Sequence, residues 1–135
     1  MLRLLHQLPL LCIPLVAASL SAGVGSLQTE ADVLDYFAFR SDWLCRKGNP
    51  DKMVLMKVYG DSMEPEISDG QIVWVRRRET LESGRVGIFV LGGMAYCKRL
   101  HVDARGACLI SANPAYAPIP LTPEADYRVC GEVVG

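Results

Sequence analysis

The sequence predicts a mainly β domain. Two observations carry this: short apolar runs recur along the chain, each closed off by glycine, proline or aspartate, and a single short stretch bears the marks of a helix. At 135 residues there is room for one core and not for two. A formal net charge of -1 gives no reason to expect that the bulk of the domain binds nucleic acid.

Taken in order, Ile13 to Ala18 reads as a strand, Ser19 to Ser26 as a loop of small residues, and Thr29 to Phe39 as a returning strand. Ser41-Asp42 reads as a helix cap before Trp43-Leu44-Cys45-Arg46-Lys47, closed by Gly48, with Trp43 assigned to the core. Met53 to Tyr59 and Gln71 to Arg76 are expected to be buried strands flanking Gly60-Asp61-Ser62-Met63-Glu64-Pro65 and Asp69-Gly70. The run Arg76-Arg77-Arg78-Glu79, with Glu82 near it, reads as a solvated loop rather than a nucleic-acid patch. Gly92-Gly93 marks a hairpin between Arg85–Leu91 and Met94–His101. Ala107 to Ser111 is a further strand, Asn113-Pro114 a turn, and a proline-broken stretch follows to Pro123. The last strand, from about Tyr127 to Val134, is apolar at a chain end and should fray unless something covers it.

Cysteine usage sets the expected compartment. Cys12, Cys45, Cys97, Cys108 and Cys130 are odd in number, scattered, and contain no Cys-x-x-Cys. This argues against a disulfide framework and a zinc site, and for reduced thiols in a cytoplasmic protein without a metal or other cofactor. Arg3 followed by the apolar stretch Leu8 to Leu20 has the outline of a secretory signal. That stretch contains Pro9 and Pro14, is too short to span a bilayer, and would put Leu20 where a cleavage site needs a small residue. No membrane association is expected.

The chemistry concentrates at Ser62. Gly60 and Pro65 fix a turn between two core strands, and the amides around the serine are left free to donate. A turn-capping serine is the ordinary reading of such a position. Downstream, strand alternation puts Met94, Tyr96, Lys98 and Leu100 on one face, so Lys98 stands among apolar neighbours. Desolvation lowers a lysine pKa from about 10.4 toward neutrality, which would make the amine a base able to activate a hydroxyl. Neither histidine is well placed to be that base, because His6 is near the N-terminus and His101 falls on the opposite face of the Lys98 strand. Glu64 stands where a Gly-x-Ser-x-Gly elbow needs its second glycine. A Ser62-Lys98 pair is therefore the best candidate for catalysis.

Gly60-Asp61-Ser62-Met63-Glu64-Pro65, Asp69-Gly70, Lys98-Arg99-Leu100 and Ile110-Ser111-Ala112-Asn113-Pro114 with Tyr116 together resemble the self-cleaving Ser-Lys peptidases. That family includes LexA, the UmuD mutagenesis protein and the C-terminal domains of lambda-type phage repressors. The resemblance runs from about Leu10 to Val134. It implies a small LexA C-terminal-domain-like β fold with one or two short helices. It further implies Ser62 as nucleophile, Lys98 as general base, the backbone amides of Asp61 and Ser62 as oxyanion donors, and Ala22-Gly23 as the scissile bond. Residues 1–28 would form an arm carrying the cleavage loop, and 29–135 the peptidase-like and dimerisation core. The implied partners are a second copy, the chain's own arm as substrate, and a RecA filament as trigger. Small residues let such a loop lie extended in a cleft, and a tether of this kind holds it at an effective concentration of order millimolar.

The chain departs from LexA and the lambda-type repressors ahead of that loop. Leu2 to Leu11 contains Pro9 and lacks the two-helix pattern of a helix-turn-helix, so direct DNA binding is not expected. Three function classes follow. They are a self-cleaving endopeptidase of the SOS or prophage-repressor type, a non-catalytic dimerisation and regulatory module of a repressor or UmuD-like polymerase accessory protein, and a signal peptidase relative. The last ranks lowest for want of a spanning anchor.

Overall fold

The computed structural model describes residues 9–17 and 33–135. Nine strands among them form one sheet: β1 (Leu10–Val16), β2 (Val33–Arg40), β3 (Met53–Lys57), β4 (Ile72–Arg77), β5 (Val86–Leu91), β6 (Met94–Asp103), β7 (Gly106–Ile110), β8 (Ile119–Leu121) and β9 (Tyr127–Val133). Their order is β2-β1-β3-β4-β9-β5-β6-β7-β8. Every pairing is antiparallel except β1 with β3. A short helix, α1 (Ser41–Lys47), and a 3-10 turn (Pro50–Lys52) connect β2 to β3. The mainly β class read from the sequence is the class observed. β1, from the segment assigned to the arm, is the second strand of the sheet.

The core explains why some strands are apolar throughout rather than alternating. In β3, Val54 and Met56 enter the main cluster with Val73, Val75, Ile88 and Val90, while Leu55 turns to the other face beneath Leu44 of α1. In β5, Ile88 and Val90 join that main cluster and Phe89 points into a second one with Leu100, Leu109 and Leu121. A strand covered on both faces has no position for a solvated side chain. Each fully buried residue of this size contributes about 1.5–3 kcal/mol.

Four expectations are corrected. The apolar last strand is not a chain end in need of cover, because β9 lies in the middle of the sheet, paired with β4 on one side and β5 on the other. Nor is the arginine run a solvated loop. Arg76 and Arg78 converge on Oε1 of the buried Glu132 at 2.9 and 3.0 Å, so the run neutralises a carboxylate carried inward by β9. Trp43 is 40% exposed rather than core: the two-turn helix has one buried position, and Leu44 takes it. The Trp43 indole instead stacks on Phe39, with ring centroids 5.5 Å apart, and Lys47 Nζ lies 5.0 Å from its centroid. Finally, neither Ser41 nor Asp42 caps α1; Arg40 holds the cap position without a side-chain bond, and the Asp42 carboxylate sits in the first turn, where it complements the helix dipole. Gly48 ends the helix as expected.

Glu132 illustrates how the sheet tolerates a buried charge. Burial pushes its carboxyl pKa up, but the hydrogen bonds and charges of Arg76 and Arg78 together outweigh burial and hold it below the ordinary value of 4.5. A carboxylate depressed in this way stabilises the fold fully above pH 4.5, and the contribution is lost as pH falls through the folded-state pKa. Glu132→Gln should lower stability at neutral pH by about 1.5 kcal/mol, the low end for a charge-assisted bond because the arginines are partly solvated. Denaturant titrations should show the gap between variant and parent closing as pH drops below 4.5. A gap that stays constant through that range would contradict the pairing.

Candidate active site

The turn that carries Ser62 is built largely by its own backbone. Val58 and Gln71 close its neck, with Val58 N donating to Gln71 O at 2.8 Å and Gly70 N to Val58 O at 2.7 Å. Gly60 has φ 87°, a conformation that a residue with a Cβ avoids, and its amide donates to Asp69 Oδ1 at 2.8 Å. Met63 and Ile67 anchor the turn by burial in the main core cluster. Ser62 itself is half-buried, so its hydroxyl sits at the rim of the packed interior.

A second set of bonds ties this turn to the segment after β7. Asn113 N donates to Ser62 O at 3.0 Å and Asn113 Nδ2 to Asp61 O at 3.2 Å, while the Tyr116 hydroxyl donates to the Asp61 carboxylate. The carbonyls of residues 61 and 62 are thereby held on one side. Among the described residues, the amides of Asp61 and Ser62 donate to no protein acceptor.

Lys98 arrives from β6. It is 6% exposed, its Nζ donates to Ser111 Oγ at 2.8 Å, and it lies 5.4 Å from the centroid of the Tyr116 ring. Among the described residues no carboxylate pairs with it. Burial therefore lowers its pKa from the ordinary 10.5, partly offset by neighbouring Cys97. Burial pushes the Cys97 thiol up to about 11, so it stays protonated at neutral pH.

Ser62 and Lys98 line one open cavity of about 280 Å3, together with Tyr59, Tyr96, Ser111 and Tyr116. No hydrogen bond joins the two side chains among the described residues; the partner of Lys98 is Ser111. The cavity is lined both by the residue that carries the hydroxyl and by the one that carries the desolvated amine. Ala22 and Gly23 lie outside the described residues. His101 is turned away as expected, its Nε2 3.1 Å from Asp103 Oδ2 at a separate cleft that also contains Cys108.

Sequence reasoning gave no role to Ser111, Tyr116 or the Asp61 side chain. Ser111 was legible in principle, because it stands two residues beyond the buried Leu109 and so shares its face. Tyr116 was not, since it follows a proline turn that has no period to extrapolate.

The sequence matches the family model described as Peptidase S24-like over residues 14–134. The chain belongs to the Peptidase S24-like family. Among its relatives, the LexA repressor of Oleidesulfovibrio alaskensis is 38% identical over 85 residues, covering 62% of this chain and 41% of the relative. LexA repressor 2 of Pseudomonas syringae pv. tomato is 38% identical over 82 residues, 60% of this chain and 41% of that protein. LexA repressor 2 of Xanthomonas axonopodis pv. citri is 31% identical over 121 residues, 89% of this chain and 53% of that protein. The S24-like chain thus spans 41 to 53% of the length of these repressors. Among its described residues no helix is long and apolar enough to cross a membrane.

The buried amine makes a prediction of its own. A lysine whose pKa is lowered by folding binds fewer protons than it does in the unfolded chain, between the folded value and 10.5. Stability contributed by this site therefore rises with pH across that window. Denaturation midpoints measured from neutral pH to 10.5 should show the parent gaining on Lys98→Met as pH rises. A constant difference between the two would mean that Lys98 keeps an ordinary pKa.

Proposed function

We propose that this chain is a self-cleaving serine endopeptidase that cuts its own Ala22-Gly23 bond with a Ser62-Lys98 dyad. The observation that carries the reading is the buried Lys98 amine, paired with no carboxylate among the described residues, in the cavity that Ser62 lines. In the proposed reaction neutral Lys98 accepts the Ser62 proton as Oγ attacks the Ala22 carbonyl carbon. The amides of Asp61 and Ser62 hold the developing oxyanion. Lys98 then returns the proton to the Gly23 nitrogen as the peptide bond breaks, and water releases the acyl group from Ser62. Ser111 holds the amine and gives it up as Ser62 engages.

Membership of the S24-like family and likeness to LexA repressors support a role in transcriptional regulation. On this reading the chain is cytoplasmic and homodimeric, and a RecA filament stimulates the cut during DNA damage. A second reading is favoured by one observation: Lys98 bonds to Ser111 rather than Ser62. In it the domain is a non-catalytic dimerisation and regulatory module.

Intact-mass measurement after incubation at mildly alkaline pH separates the two. Self-cleavage yields fragments 1–22 and 23–135, absent from Ser62→Ala and Lys98→Ala. A chain that stays whole at every pH, with and without RecA filaments, supports the regulatory module instead.

A further inference from the structure

The dyad comes from two pieces of chain that are not hydrogen-bonded to each other as strands. Lys98 stands at the point on β6 where pairing with β7 begins, since the β6–β7 register starts at Arg99 opposite Ile110. The half of β6 before that point pairs only with β5 among the described residues. Ser62 rides on the turn between β3 and β4, and no ladder bond fixes how far that turn stands from β6.

Arg99 spans this gap. Its Nη2 donates to both carboxylate oxygens of Glu66, at 2.7 and 2.8 Å, and its Nη1 donates to Gly84 O at 2.6 Å. Glu66 belongs to the Ser62 turn, and Gly84 to the loop before β5, where Gly84 N in turn donates to Leu100 O at 2.8 Å. A planar guanidinium therefore grips the nucleophile's turn with one edge and the strand framework with another, one residue from the base. Across the cavity, Asn113 and Tyr116 hold Asp61 and Ser62 from the opposite end of the same turn.

We propose that Arg99, acting through Glu66, is a positioning residue for self-cleavage: it sets the separation of Ser62 from Lys98 without touching the reacting atoms. This rests on the dyad reading above. The pair is substantially exposed, with side chains 38% and 47% accessible, so it contributes little to stability. Geometry is another matter, because a misplacement of about 1 Å between reacting groups costs of order a hundredfold in rate. The guanidinium fork is what the site requires; an ammonium at the same place keeps the charge and loses the two-point grip.

The test is the first-order rate of Ala22-Gly23 cleavage across pH, with denaturation midpoints, for the parent, Arg99→Lys, Arg99→Gln, Glu66→Gln and the exchanged pair Glu66→Arg/Arg99→Glu. Ser62→Ala serves as the blank. All three single variants should cut about ten- to a hundredfold more slowly, with midpoints near that of the parent and an unchanged kinetic pKa. The exchanged pair should recover part of the rate. Full activity in Arg99→Lys, or a rate loss that tracks the loss in midpoint, would overturn positioning while leaving the dyad intact. A displaced kinetic pKa in Arg99→Gln alone would make Arg99 an electrostatic neighbour of Lys98 and overturn it too. A parent that never cuts, and whose Ser62 is not labelled by a fluorophosphonate, removes both readings together.

Discussion

Burying the Lys98 amine strips an ammonium of its hydration, and among the described residues it gains in return a hydroxyl and the face of an aromatic ring but no carboxylate. The effective penalty for an ion in such a place is several kcal/mol, and proteins meet it by pairing the charge or by letting it go. Here the second route is open. The surrounding strands supply apolar mass beside the amine: Phe89, Leu100 and Leu109 fill the same side of the sheet, and Tyr96 and Tyr116 line the cavity.

Glu132 shows the first route in the same molecule. It is as buried as Lys98, yet two arginines hold it ionised, and the strand that carries it joins the two halves of the sheet. One buried charge is matched and serves the fold. The other has no ionic partner among the described residues, and burial weakens its hold on a proton. That contrast, more than the presence of a serine in a turn, sets the Ser62 cavity apart from the larger cleft around His101 and Cys108, where His101 and Asp103 are exposed and paired with each other.

Much of this was legible in the sequence because local rules and tertiary structure agree. Gly92-Gly93 turns where two apolar runs must meet, and strand alternation alone turned Lys98 inward and His101 outward. The misreadings of the last strand and of the arginine run share a cause, which is long-range pairing. Nothing local says that Tyr127–Val133 inserts between β4 and β5, and without that insertion the arginine run has no buried partner and reads as solvent-exposed. β8 escaped notice because Pro120 sits inside it, a residue that a three-stranded interior would reject and a short edge strand accepts. The hydroxyl partner Ser111 and the cavity's Tyr116 come from the segment following β7, whose approach to Ser62 is set by Asn113 rather than by any periodic signal.

The central claim is that the buried Lys98 amine, once neutral, is the base for Ser62. The most direct measurement is the rate of self-cleavage as a function of pH, set beside the titration of Lys98 followed at its side-chain carbon by NMR in Ser62→Ala. A Lys98 base predicts a rate that climbs about tenfold per pH unit and levels off at the same pKa that the resonance reports, below the ordinary 10.5. A rate indifferent to pH, or a plateau unrelated to the Lys98 titration, would contradict it.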